Sequence, residues 1–164
     1  MTNKPLLAWL LLWALPAFAV SPLPPVDPET PLYVVKVEPG VTHEDVVESL
    51  KSAAASKNFV SPAMFPIGKH IQERGLPLQG IIEVHSYCSL GIGAEILMES
   101  PEFAVFAPCR YAIYEKQGQL YIALDRPTYA LRHVKGHSAK AEEAAKQMEE
   151  TLIWILDKAR RGEI

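Results

Sequence analysis

Two strand-like stretches joined by a short turn constrain the fold more than any other feature of this chain. Residues 103–115 and 120–125 are rich in aromatic and aliphatic side chains, and residues 116–119, which include Gly118, lie between them. A connection of this length with a glycine is typical of a β-hairpin. We therefore expect the two strands to be antiparallel neighbours, which excludes a purely parallel sheet.

The rest of the chain alternates between strand-like and helix-like patterns. We predict further strands over residues 32–38, 59–65 and 81–88, and helices over residues 43–56, 67–74, 89–100 and 139–161. Residues 126–136 are expected to be irregular or to form one loose helical turn. The resulting order, β-α-β-α-β-α-β-β-α, predicts an α+β two-layer sandwich with an at least partly antiparallel sheet and a long C-terminal helix.

The first nineteen residues predict export. Lys4 precedes ten apolar or aromatic residues at 6–15, and an A-x-A site ends at Ala19. A positive charge, a short apolar segment and small residues before the cleavage point are typical of a secretory signal peptide. The apolar segment is about half of the ~20 residues that span a bilayer, so an uncleaved N-terminal anchor is the weaker alternative. We expect an exported, periplasmic protein with no stable membrane span after cleavage.

Beyond the signal peptide, the composition indicates one ordinary domain. Seven of the fourteen prolines lie at or before Pro31, so residues 20–31 are predicted to be an extended, proline-rich linker, followed by a single domain over residues 32–161. The formal net charge of the whole chain is −3. Since the chain is not basic, we expect no nucleic-acid partner.

Several short motifs resemble the family called domain of unknown function 302. They are a strand that ends in Cys88 before a helix, an acidic-proline turn at residues 99–101, and the segment 106–115, which contains Cys109 and precedes a glycine turn. The resemblance covers about residues 32–161. It implies a compact α+β domain, often a homodimer, with no established enzyme activity. In the family the first cysteine is commonly followed by Asn-Pro, which this chain lacks.

The two cysteines allow three interpretations. Cys88 ends one predicted strand, and Cys109 lies in the next. In an oxidising compartment they could form a structural disulfide, which would close a loop of about twenty residues and stabilise the fold by ~3 kcal/mol. They could instead be two buried, unpaired thiols, or a functional pair that is redox-active or binds a metal. No C-x-x-C motif is present, so the usual oxidoreductase signal is absent.

The candidate site residues cluster around these cysteines. We predict a ligand-binding site formed by His85, Tyr87, Cys88, Cys109 and Arg110. The soft or borderline ligands among them, His85, Cys88 and Cys109, are suitable in kind for copper or zinc. On an extended strand, however, His85 and Cys88 point to opposite faces, so these ligands converge only if the strand breaks. We therefore predict no cofactor, with copper or zinc as an open alternative.

Arg110 and Trp154 bear on partners. If Cys109 faces the core, alternation along the strand places Arg110 on the outer face. There Arg110 could bind an anion, pair with an acid across a dimer, or form a plain surface salt bridge. Trp154 lies in a run of five apolar residues at 152–156, more than a one-sided helix needs. That surplus predicts a homodimer.

No catalytic constellation is apparent. The acidic residues show no distinctive pairing, and no G-x-S-x-G motif is present. Our hypothesis is an exported, non-catalytic binding or accessory module that holds a small ligand, a metal or a protein partner near Cys88 and Cys109. The alternative is a thiol–disulfide redox or sulfur-carrying protein that uses the same two cysteines.

Overall fold

The structure, a computed structural model, describes residues 20–164; the predicted signal peptide lies outside the described residues. Five strands, five α-helices and one 3₁₀ helix follow one another along the described chain. They are β1 (Leu32–Lys36), α1 (His43–Ser56), β2 (Val60–Phe65), α2 (Ile67–Gln72), β3 (Ile82–Cys88), α3 (Leu90–Leu97), the 3₁₀ helix (Pro101–Phe106), β4 (Cys109–Lys116), β5 (Gln119–Asp125), α4 (Pro127–Leu131) and α5 (Ala139–Arg160).

The strands form one sheet in the order β1-β5-β4-β3-β2, and every neighbouring pair is antiparallel. The predicted α+β fold and its long C-terminal helix are confirmed. The β4–β5 hairpin turns at Gln117 and Gly118, whose φ angles of 54° and 74° lie in the left-handed region. Two left-handed residues match the turn to the twist of the strands, which is why the hairpin forms here.

One predicted strand begins later than expected. Residues 103–106 are not extended, because a 3₁₀ helix occupies residues 101–106, and β4 starts only at Cys109. Pro101 stands at the start of that helix, where its fixed φ is favourable and its missing N–H costs nothing. The Ala107–Pro108 peptide bond, which is cis, joins the helix to β4.

The hydrophobic core lies between one face of the sheet and the layer formed by α1, α3 and α5. Alternate strand residues point into it, including the fully buried Tyr111, Ile113 and Leu124. The buried stripe of α5 covers them, and the Tyr111 hydroxyl donates a hydrogen bond of 2.8 Å to the carbonyl of Leu152. This face of the sheet is called the core face below.

The opposite face of the sheet, called the outer face below, carries the intervening strand residues. On the edge strands Leu32 and Phe65 are about half exposed. On the central hairpin the rings of Tyr114 and Tyr121 stack with their centroids 5.3 Å apart. Much of the outer face is therefore apolar and aromatic, although it also carries charged residues such as Arg110 and Asp125 and the helical layer lies on the other side.

Residues 20–31, called the N-terminal strap below, lie against the domain. The Ser21 N–H donates to Glu38 Oε1 at 3.0 Å, and the Ser21 carbonyl accepts from Arg160 at 2.6 Å. Further along, the Tyr33 hydroxyl donates to the Pro24 carbonyl at 2.7 Å, and Arg126 binds the carbonyl of Thr30 at 2.9 Å. The proline-rich segment lies along the domain, and several of its carbonyl groups accept hydrogen bonds from side chains of the domain.

Within residues 20–164, no helix combines the length and the apolar character needed to cross a bilayer.

Candidate functional site

The register of β3 and β4 decides the state of the two cysteines. Tyr87 is the partner of Cys109 across the two strands, so these two side chains share the core face. Cys88 follows Tyr87 and points to the outer face, because successive side chains on a strand alternate. Both cysteines are free in the structure. The candidate disulfide is therefore not formed, since the side chains of Cys88 and Cys109 lie on opposite faces of the sheet.

The surroundings of the two thiols disfavour thiolate chemistry. Cys109 is buried, and its Sγ lies 3.4 Å from Met148 Sδ on α5. Burial, with a smaller contribution from Asp125, raises the pKa of the Cys109 thiol to about 12. Burial also raises the pKa of the Cys88 thiol. Reactive cysteines have a lowered pKa in an electropositive setting, which neither residue has.

The three predicted metal ligands are not brought together. His85 faces the core opposite Tyr111, whereas Cys88 faces outward. Within the described part of the chain, no group of three or more His, Cys, Asp or Glu side chains is arranged to hold a metal ion.

Tyr87 is a core residue. It is fully buried and makes an edge-to-face contact with Tyr111, with ring centroids 5.5 Å apart. Its hydroxyl has no hydrogen-bond partner among the described residues. Burial raises the pKa of this phenol to about 12, so it stays protonated. Tyr87 therefore contributes packing to the sheet.

Cys109 and Arg110 border an apolar pocket of about 260 Å³. The pocket lies where the end of the strap, the 3₁₀ helix and α4 meet the ends of β1, β4 and β5. Its lining is mostly proline, aromatic and aliphatic: Pro31, Leu32, Phe103, Phe106, Cys109, Arg110, Asp125, Arg126, Pro127, Tyr129, Ala130 and His133. Only two of the five predicted ligand-binding residues, Cys109 and Arg110, are among them.

An ion pair forms the polar part of this pocket. The Arg110 guanidinium contacts Asp125 Oδ2 through Nε and Nη2, each at 2.9 Å, and the Arg110 backbone N–H donates to Asp125 Oδ1 at 2.7 Å. Burial raises the pKa of the Asp125 carboxyl even though the contacts with Arg110 act in the opposite direction. Arg110 lies on the outer face, as alternation predicts, and its acid partner is in its own chain.

A second polar cluster, which the sequence analysis did not predict, lies between α1 and β3. His43 Nε2 is 2.7 Å from Glu83 Oε1, and His85 Nε2 is 2.6 Å from the same oxygen. His85 and Glu83 are two residues apart on β3 and share the core face. That spacing was visible in the sequence, but the third member comes from a residue 40 positions earlier, where α1 begins.

The fold and these sites define a class of protein: a two-layer α+β domain with an open antiparallel sheet. A model of the family described as "Domain of unknown function DUF302" matches residues 33–159, and the chain belongs to this family.

Two known proteins are similar to this chain. The chain is 34% identical over 96 residues to an uncharacterized protein of Aquifex aeolicus (strain VF5), which covers 58% of this chain and 60% of that protein. The chain thus spans about three fifths of that relative. The structure is also similar to the crystal structure of an uncharacterized conserved DUF302 protein from Bacillus stearothermophilus. That comparison has a TM-score of 0.71 and 23% sequence identity and covers 79% of this chain and 98% of the other. At this identity the similarity supports the fold.

Proposed function

We propose that the protein is an exported binding module that takes a small, planar, largely apolar molecule into the pocket beside Cys109. The observation that carries this proposal is that two predicted site residues, Cys109 and Arg110, line a well-formed apolar pocket. Apolar pockets with a few convergent polar groups are the usual form of small-molecule binding sites. Export rests on the N-terminal sequence pattern alone.

The shape and lining of the pocket set the class of ligand. Its volume of about 260 Å³ is slightly below the range of about 300–1,000 Å³ that holds drug-sized ligands, so the ligand is small. Two phenylalanine rings, Phe103 and Phe106, lie with their centroids 5.7 Å apart and form part of the lining. Aromatic walls favour a planar molecule, because flat rings pack well against flat rings.

The ion pair between Arg110 and Asp125 is the part of the pocket that orients a ligand. Asp125 accepts two hydrogen bonds from Arg110 and also contacts its Nη2, and the Arg110 side chain remains about half exposed. A ligand with one hydrogen-bonding group could reach the unused donors of this guanidinium. The Cys109 thiol, held in its protonated form by burial, then acts as part of the pocket wall. The alternative of a redox or sulfur-carrying pair has less support, because its two sulfurs lie on opposite faces.

We also propose that a second copy of the chain packs on the outer face of the sheet. The sequence argument for a homodimer used Trp154, but the Lys57 ammonium lies 4.5 Å from the centre of that ring and already covers it in part. The outer face is a better candidate, because exposed apolar side chains such as Leu32, Val34 and Phe65 are contributed by both edge strands.

The binding proposal is tested by titrating isotope-labelled protein with indole and following amide shifts by NMR. We expect saturable shifts confined to residues around the pocket. Ala130→Phe, which fills the pocket, should weaken binding at least about tenfold, because the ring takes the ligand's place. Val105→Ala is the matched control, since Val105 lies on the 3₁₀ helix but is 79% exposed. Unsaturable shifts, or equal binding by Ala130→Phe, would overturn the proposal.

The dimer proposal is tested by analytical ultracentrifugation across a range of protein concentrations. We expect a dimer that Val34→Glu converts to a monomer, because a charge would be buried at the interface. Met98→Glu serves as the control, since Met98 is exposed at the end of α3. A wild-type monomer at all concentrations would contradict the proposal.

A further inference from the structure

We propose that His43, Glu83 and His85 form an acid–base site that binds a small anion carrying an exchangeable proton, with His43 as the group that accepts the proton. The site lies in a hollow between α1, β2 and β3 and is separate from the pocket beside Cys109.

The first argument is the burial of the Glu83 carboxylate. Glu83 points from β3 to the core face and is only 8% exposed. Burying a carboxylate costs several kcal/mol unless its oxygens are bonded, and an apolar side chain would fill this position without that cost. The buried carboxylate is accompanied here by two imidazole groups, both hydrogen-bonded to its Oε1 atom.

The second argument is that this arrangement fixes the proton positions on both rings. Burial raises the pKa of Glu83, but the hydrogen bonds from His85 and His43 outweigh it and hold the pKa below its ordinary value. An ionised carboxylate only accepts hydrogen bonds. Each Nε2 atom must therefore donate, and in each neutral ring Nδ1 carries the lone pair. Orientation of a histidine by a carboxylate in this way is a recurrent device of acid–base chemistry.

The third argument is the difference in exposure between the two rings. The His85 side chain is 3% exposed, whereas the His43 side chain is 24% exposed. The nearest acid to His43 Nδ1 is Glu44, whose Oε1 lies 3.8 Å away and so outside hydrogen-bond range. Among the described residues Nδ1 of His43 makes no hydrogen bond, and the residue lines the hollow, so its Nδ1 lone pair is unused by the protein. His85 holds Glu83 in place from within the core.

The hollow itself has room, and an ammonium group lines it beside the ionised Glu83 carboxylate. It measures about 350 Å³, and its lining includes His43, Lys51, Ser61, Glu83 and His85. Lys51 follows His43 by two turns on α1, so both lie on the same side of the helix. Within residues 20–164, the Lys51 ammonium takes part in no ion pair. An anion is the ligand that this unpaired ammonium favours.

The distances in the cluster are those of hydrogen bonds. Ligand atoms around a tetrahedral zinc ion, at about 2.0–2.1 Å from the metal, lie roughly 3.3 Å from one another. The two Nε2 atoms are 2.7 Å and 2.6 Å from Glu83 Oε1. The cluster is therefore arranged for proton exchange, and metal binding is an outcome that the test below must distinguish.

The proton-transfer step is balanced within the site. The O–H bond of the anion breaks, its electron pair stays on the oxygen, and the proton forms a bond to His43 Nδ1. The resulting imidazolium donates from Nε2 to the Glu83 carboxylate, which offsets its charge. Lys51 offsets the added charge on the anion. The reverse transfer restores both partners.

The test uses inorganic phosphate and sulfate as probes, because near neutral pH phosphate keeps at least one proton and sulfate keeps none. The full chain is treated with diethyl pyrocarbonate, which carbethoxylates accessible imidazole nitrogens, and each histidine is followed by peptide mass spectrometry. We expect His43 to react much faster than His85. Phosphate should protect His43 at about a tenfold lower concentration than sulfate, because one additional hydrogen bond to a charged group corresponds to a difference in affinity of this size.

Three variants and an internal standard control this experiment. Lys51→Ala should weaken protection by both anions, whereas Lys69→Ala, on an exposed lysine of α2, should not. Glu83→Gln should remove the preference for phosphate. His70, which pairs with Glu73 away from the hollow, reports any general effect of ionic strength.

Nitrogen NMR of the wild type provides a reading that does not depend on any variant. Both His43 and His85 should be protonated on Nε2 in the neutral form. Protonation on Nδ1, equal protection by sulfate and phosphate, equal protection of His70, or zinc retained in stoichiometric amount after treatment with a chelator would each overturn the proposal.

Discussion

Arg126 and Glu149 form an ion pair in which both side chains are more than nine-tenths buried. Arg126 Nη2 lies 2.9 Å from Glu149 Oε1, and Nε lies 3.0 Å from the same atom. The guanidinium also binds the Thr30 carbonyl, and Glu149 Oε2 accepts the Thr128 N–H at 3.0 Å. One buried network thus joins the N-terminal strap, the start of α4 and the middle of α5.

Removing one partner of this network should destabilise the fold strongly. We expect Arg126→Met to lower the free energy of unfolding by about 3–5 kcal/mol, because it leaves Glu149 buried without its countercharge. Combining it with Glu149→Leu should cost less than the sum of the single substitutions. Urea denaturation measures each value. Arg110→Met, at an ion pair whose arginine is about half exposed, should cost less, about 1 kcal/mol. Equal costs at the two arginines would contradict the prediction.

The two thiols should differ in reactivity and should not bond to each other. In native protein we expect Cys88 to react with a disulfide reagent well before Cys109, because Cys109 is the more buried thiol. Cys88→Ser should remove the fast phase and leave the slow one. Intact mass spectrometry after mild oxidation should show no loss of two hydrogens from the monomer. Such a loss would show that the strands rearrange to bring the sulfurs together.

Glu83 should make stability depend on pH on the acid side. Its pKa in the folded protein is lower than the ordinary value of 4.5, so the ionised carboxylate stabilises the fold above that value. This contribution is lost as the pH falls through the folded pKa. We expect Glu83→Gln to be less stable near neutral pH and to show a shallower decline in acid, measured by thermal unfolding at a series of pH values. Glu143→Gln, at an exposed position of α5, is the control. Parallel curves for wild type and Glu83→Gln would count against this role.

The effect of a substitution in the β4–β5 turn on the free energy of unfolding should depend on the backbone φ angle at that position. Asparagine tolerates the left-handed region better than glutamine, so Gln117→Asn should raise the free energy of unfolding by roughly 0.5 kcal/mol. Gly118→Ala should lower it by about 1 kcal/mol, because φ is 74° there. Gly91→Ala is the matched control: it lies in α3 with open space around it, and alanine should stabilise the helix. Calorimetry of the three variants tests whether their changes in stability have these signs.

Local patterns predicted most of the elements of the fold. The β4–β5 hairpin, α1 and the long α5 follow from turn chemistry and helical periodicity, which act over a few residues. Alternation also placed Cys109 and Arg110 on opposite faces of the sheet. The 3₁₀ helix at residues 101–106 was missed, because its apolar residues suit a strand equally well and only the two flanking prolines indicate a break.

The sites were harder to predict, because they depend on contacts between distant parts of the chain. The pocket beside Cys109 draws its walls from segments near residues 31, 106 and 130, which no local pattern relates. His43 was not among the predicted site residues, since nothing near it in sequence shows that Glu83 lies opposite. A disulfide was one of three open interpretations, and it was favoured by the predicted compartment and the even number of cysteines. The register of β3 against β4 determined the outcome instead.

The contact between Ser21 and Arg160, 139 positions apart, brings the two ends of the described chain to one corner of the molecule. A circularly permuted chain is therefore accessible, since neighbouring termini can be joined without disturbing the strand order. A short glycine-serine bridge from residue 164 back to residue 20, with new ends opened in the exposed segment between Gly75 and Gly80, would keep all strand pairings of the sheet. The strap would then become an internal loop, held at both ends by covalent bonds.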